Sequence, residues 1–161
     1  MIVQKPDGKK EPQLVTSQSG NNPKFFIVHG HDDLAKLTLA RFMEQIGLNP
    51  INLHEQASSS KTIIKKIESC GDVGYAVVLC TPYDVSSKVG EENKPRACQN
   101  VVFEHGHSIG RLRRSKVAAL VKGGAETPND ISVVAYIDLD DRCAWKMDIA
   151  NELQHAGYRV D

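Results

Sequence analysis

The chain has 161 residues, 40% of them hydrophobic and 25% charged, which is enough apolar content for one domain with a real core. Twenty basic side chains balance 20 acidic ones, so the electrostatic footprint of a general nucleic-acid binder is missing. No apolar run approaches the roughly 18 residues of a membrane span, and the N-terminus lacks the apolar stretch of a signal peptide.

The four cysteines, Cys70, Cys80, Cys98 and Cys143, form no C-x-x-C pair. They read as buried thiols of a cytoplasmic protein, and not as a disulfide or zinc framework. Residues 1–23 are polar and expected to be a tail or linker that cannot offset its ordering entropy. The domain is expected to span residues 24–161.

Phe25-Phe26-Ile27-Val28 predicts a strand buried on both faces. His29-Gly30-His31-Asp32-Asp33 breaks it, and Asp32 or Asp33 can cap the helix that follows. That helix carries Ala35, Leu39, Phe42 and Ile46 on one stripe and stops at Gly47. Pro50 to Leu53 predicts a second strand, His54 to Lys61 a polar loop, and Thr62 to Cys70 a second helix.

Tyr75 to Cys80 is apolar throughout and predicts the central strand. Asp84 to Pro95 is a polar loop longer than ordinary βα connections, a length that usually means function or disorder. A helix is predicted from Ala97 to Arg113. Cys98, Val101, Val102, His105, Ile109 and Leu112 recur on its apolar stripe, and Asn100, Glu104, His107 or Ser108, and Arg111 on another face. The basic Arg111-Leu112-Arg113-Arg114 end complements the helix dipole. Lys116 to Val121 and Val133 to Ile137 predict two more strands. A final helix within Asp140 to Ala156 is expected to turn Cys143, Met147, Ala150 and Leu153 inward. Strand–helix alternation of this kind makes an α/β, flavodoxin-like fold: a five-stranded parallel sheet with helices on both faces.

Several chemistries fail on their residues. Ser58-Ser59-Ser60-Lys61-Thr62 lacks both glycines of a P-loop, and the His29–Asp33 loop has one glycine where a dinucleotide fingerprint needs three. Cys80-Thr81-Pro82 stands where a receiver domain needs its phosphorylated Asp. No G-x-S-x-G nucleophile elbow occurs. His105 and His107 diverge by about 200° on a helix, so no metal site is expected. Open α/β sheets bind ligands beyond the carboxyl ends of their strands, and Glu104 lies about two turns into a helix that starts at that edge.

The blocks Phe26-Ile27-Val28-His29-Gly30-His31-Asp32, Leu53-His54-Glu55-Gln56, Ala76 to Asp84 and Pro95-Arg96-Ala97-Cys98-Gln99-Asn100-Val101-Val102-Phe103-Glu104-His105-Gly106 resemble a bacterial TIR-like family. Its members are effectors of anti-phage cyclic-nucleotide systems, TIR–STING fusions among them. The resemblance implies a TIR fold and NAD⁺ glycohydrolase activity, with Glu104 as the catalytic glutamate. NAD⁺ is then a substrate and no cofactor is needed. By position, Gly30 and His31 would approach the nicotinamide riboside, Asp32 and Asp84 would bind ribose, and Tyr83 would offer a stacking face. Arg96 and Asn100 would border the substrate. His105-Gly106-His107 departs from the family pattern, where apolar or aromatic residues are expected. The family also implies activation by self-association into dimers or filaments, and a cyclic-nucleotide sensor elsewhere in the full protein or system. Two other readings stand beside it: a non-catalytic TIR self-association module, and a binding domain for another nucleotide.

Overall fold

The computed structural model describes residues 24–52, 65, 68, 73–128 and 133–161. Five parallel strands form one sheet: β1 (Lys24–Val28), β2 (Pro50–Asn52), β3 (Val73–Cys80), β6 (Val117–Val121) and β7 (Ala135–Asp138). Their spatial order is β2-β1-β3-β6-β7. The chain leaves β1 for one side of the sheet and β3 for the other, so the switch point lies between these two strands.

Alternation along the strands sorts side chains onto two cores. Phe25, Ile27, Tyr75, Val77, Leu79, Ala118 and Leu120 face helices α1 (Asp33–Gln45) and α3 (Trp145–His155). Phe26, Val28, Ala76, Val78, Cys80, Val117 and Ala119 face helix α2 (Gln99–Leu112). Both faces of the central strands are therefore covered, which is why these segments read as continuous apolar runs. In α1 the buried stripe is Ala35, Leu39 and Met43.

α1 ends where predicted. Gly47 has φ +78°, and a Cβ there would also meet the Asp161 carboxylate at 2.9 Å. The left-handed backbone costs an L side chain about 1–2 kcal/mol. Gly47→Ala should lose about that much in a urea melt, with activity unchanged.

Four expectations need correction. The stretch from Asp84 to Pro95 is not a plain loop: β4 (Asp84–Ser86) and β5 (Lys94–Arg96) pair as an antiparallel hairpin. The fifth strand starts at Ala135, because Val133 is exposed at φ +81°. α3 buries Trp145, Ile149 and Leu153, while Met147 is 68% exposed. Cys143 is exposed, in the turn before α3, and not buried. The second predicted strand's Leu53, the polar loop, most of the Thr62–Cys70 helix, and Cys70 lie outside the described residues. No helix among the described residues is long and apolar enough to cross a membrane.

Candidate active site

α2 runs back along the sheet from its carboxyl edge, packed on β3, β1 and β6. Cys98 precedes the helix in an extended conformation, and its side chain makes no capping hydrogen bond. The helix buries Val101, Glu104, His105 and Ser108. The expected separation into an apolar stripe and a polar face is thus only half right. Val102 and Phe103 are exposed, and Glu104 lies on the buried face. Glu104 falls three residues after Val101 and four before Ser108, so all three share one side of the helix.

Glu104 is 0% exposed, and neither carboxylate oxygen has a hydrogen-bond partner among the described residues. Burial pushes its pKa up to about 7. A buried carboxyl without partners favours its neutral form. Its neighbour His105 packs edge-on against Tyr136 of β7, with ring centroids 6.1 Å apart. Burial holds the His105 pKa below its usual value, so the ring favours neutrality. This is the core histidine that the apolar stripe predicts.

The loop after β1 abuts the start of α2. A Cβ at Gly30 would lie 3.2 Å from the Cys98 sulfur and 3.4 Å from Val101, tighter than ordinary contact. Glycine is needed here for close approach of two chain segments. Val101 is one turn from Glu104, so the Gly30 loop and the acid share one end of the helix. His31, the next residue, is exposed and stacks on Tyr83, with centroids 4.2 Å apart and planes at 23°. Tyr83 is 60% exposed, and its backbone N–H donates to the Arg96 carbonyl at 2.9 Å.

Arg96 pairs in register with Asp84 across the hairpin. Both are half-buried, and the Arg96 Nε has no partner among the described residues. The hairpin also joins the loop after β6, since the Glu126 N–H donates to the Pro95 carbonyl at 2.7 Å. Asn100 is exposed on the first turn of α2.

Asp32 is drawn elsewhere. Its Oδ1 accepts from the Ala35 N–H at 2.9 Å and caps α1, and its Oδ2 accepts from Lys122 Nζ at 2.9 Å. Burial alone would raise its pKa. The Ala35 N–H, Lys122 and the Leu34 N–H outweigh that and hold it below the usual carboxylate value. Lys122 had no signal in the sequence. It lies just past the end of β6, and only the sheet order brings it to the Asp32 loop.

A pocket of about 180 Å³ opens beside this pair, lined by Leu34, Lys122, Asp140 and Trp145 among others. A cleft of about 450 Å³ lies near the other end of α2, against Glu68, His107, Gly110 and Arg111. Glu104 lines neither. Among the described residues no group of three or more His, Cys, Asp or Glu could hold a metal ion.

Comparison with known proteins agrees with this architecture. Residues 24–141 match the family model described as CAP12/Pycsar effector protein, TIR domain. The uncharacterized protein YuaY of Escherichia coli (strain K12) is 46% identical over 140 residues, covering 86% of this chain and 47% of that protein. Protein tirC of Dictyostelium discoideum is 36% identical over 112 residues, covering 63% of this chain and 55% of that protein. The chain spans about half the length of these curated relatives. With a five-stranded parallel sheet in flavodoxin-like order and a family match over most of its length, the chain belongs to the TIR domains of the CAP12/Pycsar effector family.

Proposed function

We propose that the chain is an NAD⁺ glycohydrolase, the cytoplasmic effector domain of an anti-phage system, with Glu104 as its catalytic residue. The observation that carries this reading is the Glu104 carboxyl, fully buried and unpartnered among the described residues, where burial pushes its pKa up to about 7. Unsatisfied buried acids are costly, and strongly perturbed ones cluster at functional sites.

The chemistry suits a single acid. Ordinary glycosidases use two carboxyl groups because the leaving oxygen must be protonated. In NAD⁺ the leaving group is a pyridinium that departs as neutral nicotinamide once the C–N bond electrons return to the ring. The reaction therefore needs one anion beside the ribose, to stabilise the positive charge that develops there. Water then attacks the anomeric carbon and loses a proton, giving ADP-ribose; attack by an adenine nitrogen gives a cyclic product. In this reading Arg96 and Asn100 border the substrate, Asp84 binds ribose, Tyr83 and His31 offer ring faces, and Gly30 lets the backbone come close. Asp32 contributes by holding the loop, since Ala35 and Lys122 occupy its oxygens.

Self-association, driven by a cyclic-nucleotide sensor elsewhere in the full protein or system, is the activating event in this proposal. A second reading, a non-catalytic TIR self-association module, draws support from the inaccessibility of Glu104. Nicotinamide release from NAD⁺ by artificially clustered protein separates the two. Wild type should release nicotinamide and Glu104→Ala should not. Clustered wild type that releases no more than the variant would leave the scaffold reading.

A further inference from the structure

His105-Gly106-His107 puts two imidazoles beside the acid, and the structure turns them different ways. His105 faces Tyr136 of β7, on the side of α2 away from His107. His107 lies three residues after Glu104, so the two share a flank of the helix, with Cβ atoms roughly 5–6 Å apart. The His107 ring leans back over the preceding turn, where it lies near-parallel to Phe103, at 21° and 6.5 Å between centroids. His107 Nε2 and both Glu104 oxygens are buried, and none has a hydrogen-bond partner among the described residues. His107 as a whole is half-buried and lines the cleft of about 450 Å³. Glu104 lines neither cavity, and the Gly30 loop, packed on Cys98 and Val101, separates it from the crevice at the carboxyl edge of the sheet.

We infer that His107 is the proton acceptor for Glu104, a positioning residue that converts the sealed acid into the carboxylate the reaction needs. The pairing of the two side chains is independent of turnover; its catalytic consequence rests on the proposed function.

The step is complete within one helical turn. The two side chains are unbonded at rest, and a change of side-chain torsion joins them. The Glu104 O–H proton passes to Nε2, and the proton on Nδ1 leaves to solvent in the cleft, so the ring ends neutral with its hydrogen on Nε2. That N–H then donates to the Glu104 carboxylate and favours the ionised form. No other group described around this turn can take the same part. The sheet turns Phe26 and Val28 of β1 and Val117 and Ala119 of β6 toward α2, and its titratable groups on that side are Cys80 of β3 and Tyr136 of β7. Burial pushes the Cys80 thiol up to about 11, and burial with the nearby Cys80 raises Tyr136, so both keep their protons at neutral pH. The His105 ring looks the other way. Arg96 and Arg111, before and after the acid, are guanidinium donors and cannot accept a proton. Glu68 lines the cleft from outside α2, and the basic Arg113 to Lys116 segment lies beyond the far end of the helix.

Carboxyl-¹³C labelling of the glutamates in the intact chain reads the pair by NMR; the Glu104 resonance is the one that Glu104→Gln removes. His107→Phe keeps a ring over Phe103 and takes away the acceptor. It should move the Glu104 titration midpoint up by about one pH unit, the equivalent of one hydrogen bond to a charged group. His107→Ala should do the same, which keeps the test decisive should the first variant fold poorly. His105→Phe should leave the midpoint in place. In wild type the His107 ring resonances should follow the Glu104 titration, and Glu104→Gln should remove that inflection. An unchanged midpoint in both His107 variants would overturn the assignment. So would an equal shift in His105→Phe, since that would make it a general effect of repacking. With clustered protein, His107→Phe should lower nicotinamide release about tenfold at the acid end of the pH profile and little at alkaline pH, as a one-unit displacement of the limb requires. An equal loss at every pH would leave His107 a structural residue. Coupled titration in a protein that releases no nicotinamide would retain the pair and remove only the proposed substrate.

Discussion

Glu104→Gln should abolish nicotinamide release by the clustered protein and, at neutral pH, make the fold more stable. The loss of rate should reach a factor of about 10²–10³, the usual consequence of removing one preorganised electrostatic partner of a transition state. The gain in stability follows from linkage. The Glu104 pKa is pushed up to about 7 in the folded chain, from an ordinary value of 4.5. Below pH 4.5 both folded and unfolded states hold the proton, and the group contributes nothing. Between 4.5 and 7 the unfolded chain has released its proton and the folded chain has not, so stability falls as pH rises. At pH 7 and above the accumulated cost is on the order of 3 kcal/mol. Glutamine has no such proton. Urea melts of wild type and Glu104→Gln should therefore nearly coincide at pH 4.5 and separate steadily up to about pH 7, with glutamine the more stable. A constant gap across that range would mean that Glu104 titrates normally. Loss of activity together with gain of stability distinguishes a functional acid from a structural one, whose removal would weaken the fold.

Trp145→Ala should cost about 3–5 kcal/mol, the common penalty for truncating a large buried aromatic. Trp145 is 2% exposed and packs edge-on against Phe42, with centroids 5.3 Å apart. The Lys146 ammonium lies over both rings, 5.8 Å from the Trp145 centroid and 5.6 Å from Phe42. The Trp145 backbone N–H donates to the Asp140 Oδ1 at 3.3 Å, which fixes the entry of α3. Met147→Ala, two residues away, should stay within about 0.5 kcal/mol, as surface changes do. The pair of melts decides the facing of α3. Equal losses would restore the phase with Met147 inward.

That phase shows where sequence legibility ends. Phe25 to Val28, Tyr75 to Cys80 and Val117 to Leu120 are buried on both faces, so their apolar runs read correctly as central strands of a parallel sheet. Periodicity in the last helix was ambiguous. Cys143, Met147, Ala150 and Leu153 satisfy one helical stripe and Trp145, Ile149 and Leu153 another; Leu153 is buried in either phase, and only tertiary packing selects the second. The hairpin leaves no alternating pattern in the sequence, because Asp84–Ser86 and Lys94–Arg96 are three residues each, largely polar, and stand outside the main sheet. At the site, the position of Glu104 near the carboxyl edge was legible. Its burial was not, because a glutamate is expected to face water, although its spacing from Val101 and Ser108 already set it on their side. The Asp32–Lys122 pair joins residues 90 apart and could not be read without the strand order.

The double engagement of Asp32 also governs how a mutational scan of this domain should be interpreted. Substitution at Asp32 releases the first turn of α1 and the end of β6 together, so its phenotype belongs to loop registration. Lys122→Met should reproduce much of it, although Lys122 would sit in no alignment of substrate contacts. A scan scored on activity alone would assign the pair to recognition. Scored with protease susceptibility beside it, the same pair marks the brace that keeps one wall of the crevice in place.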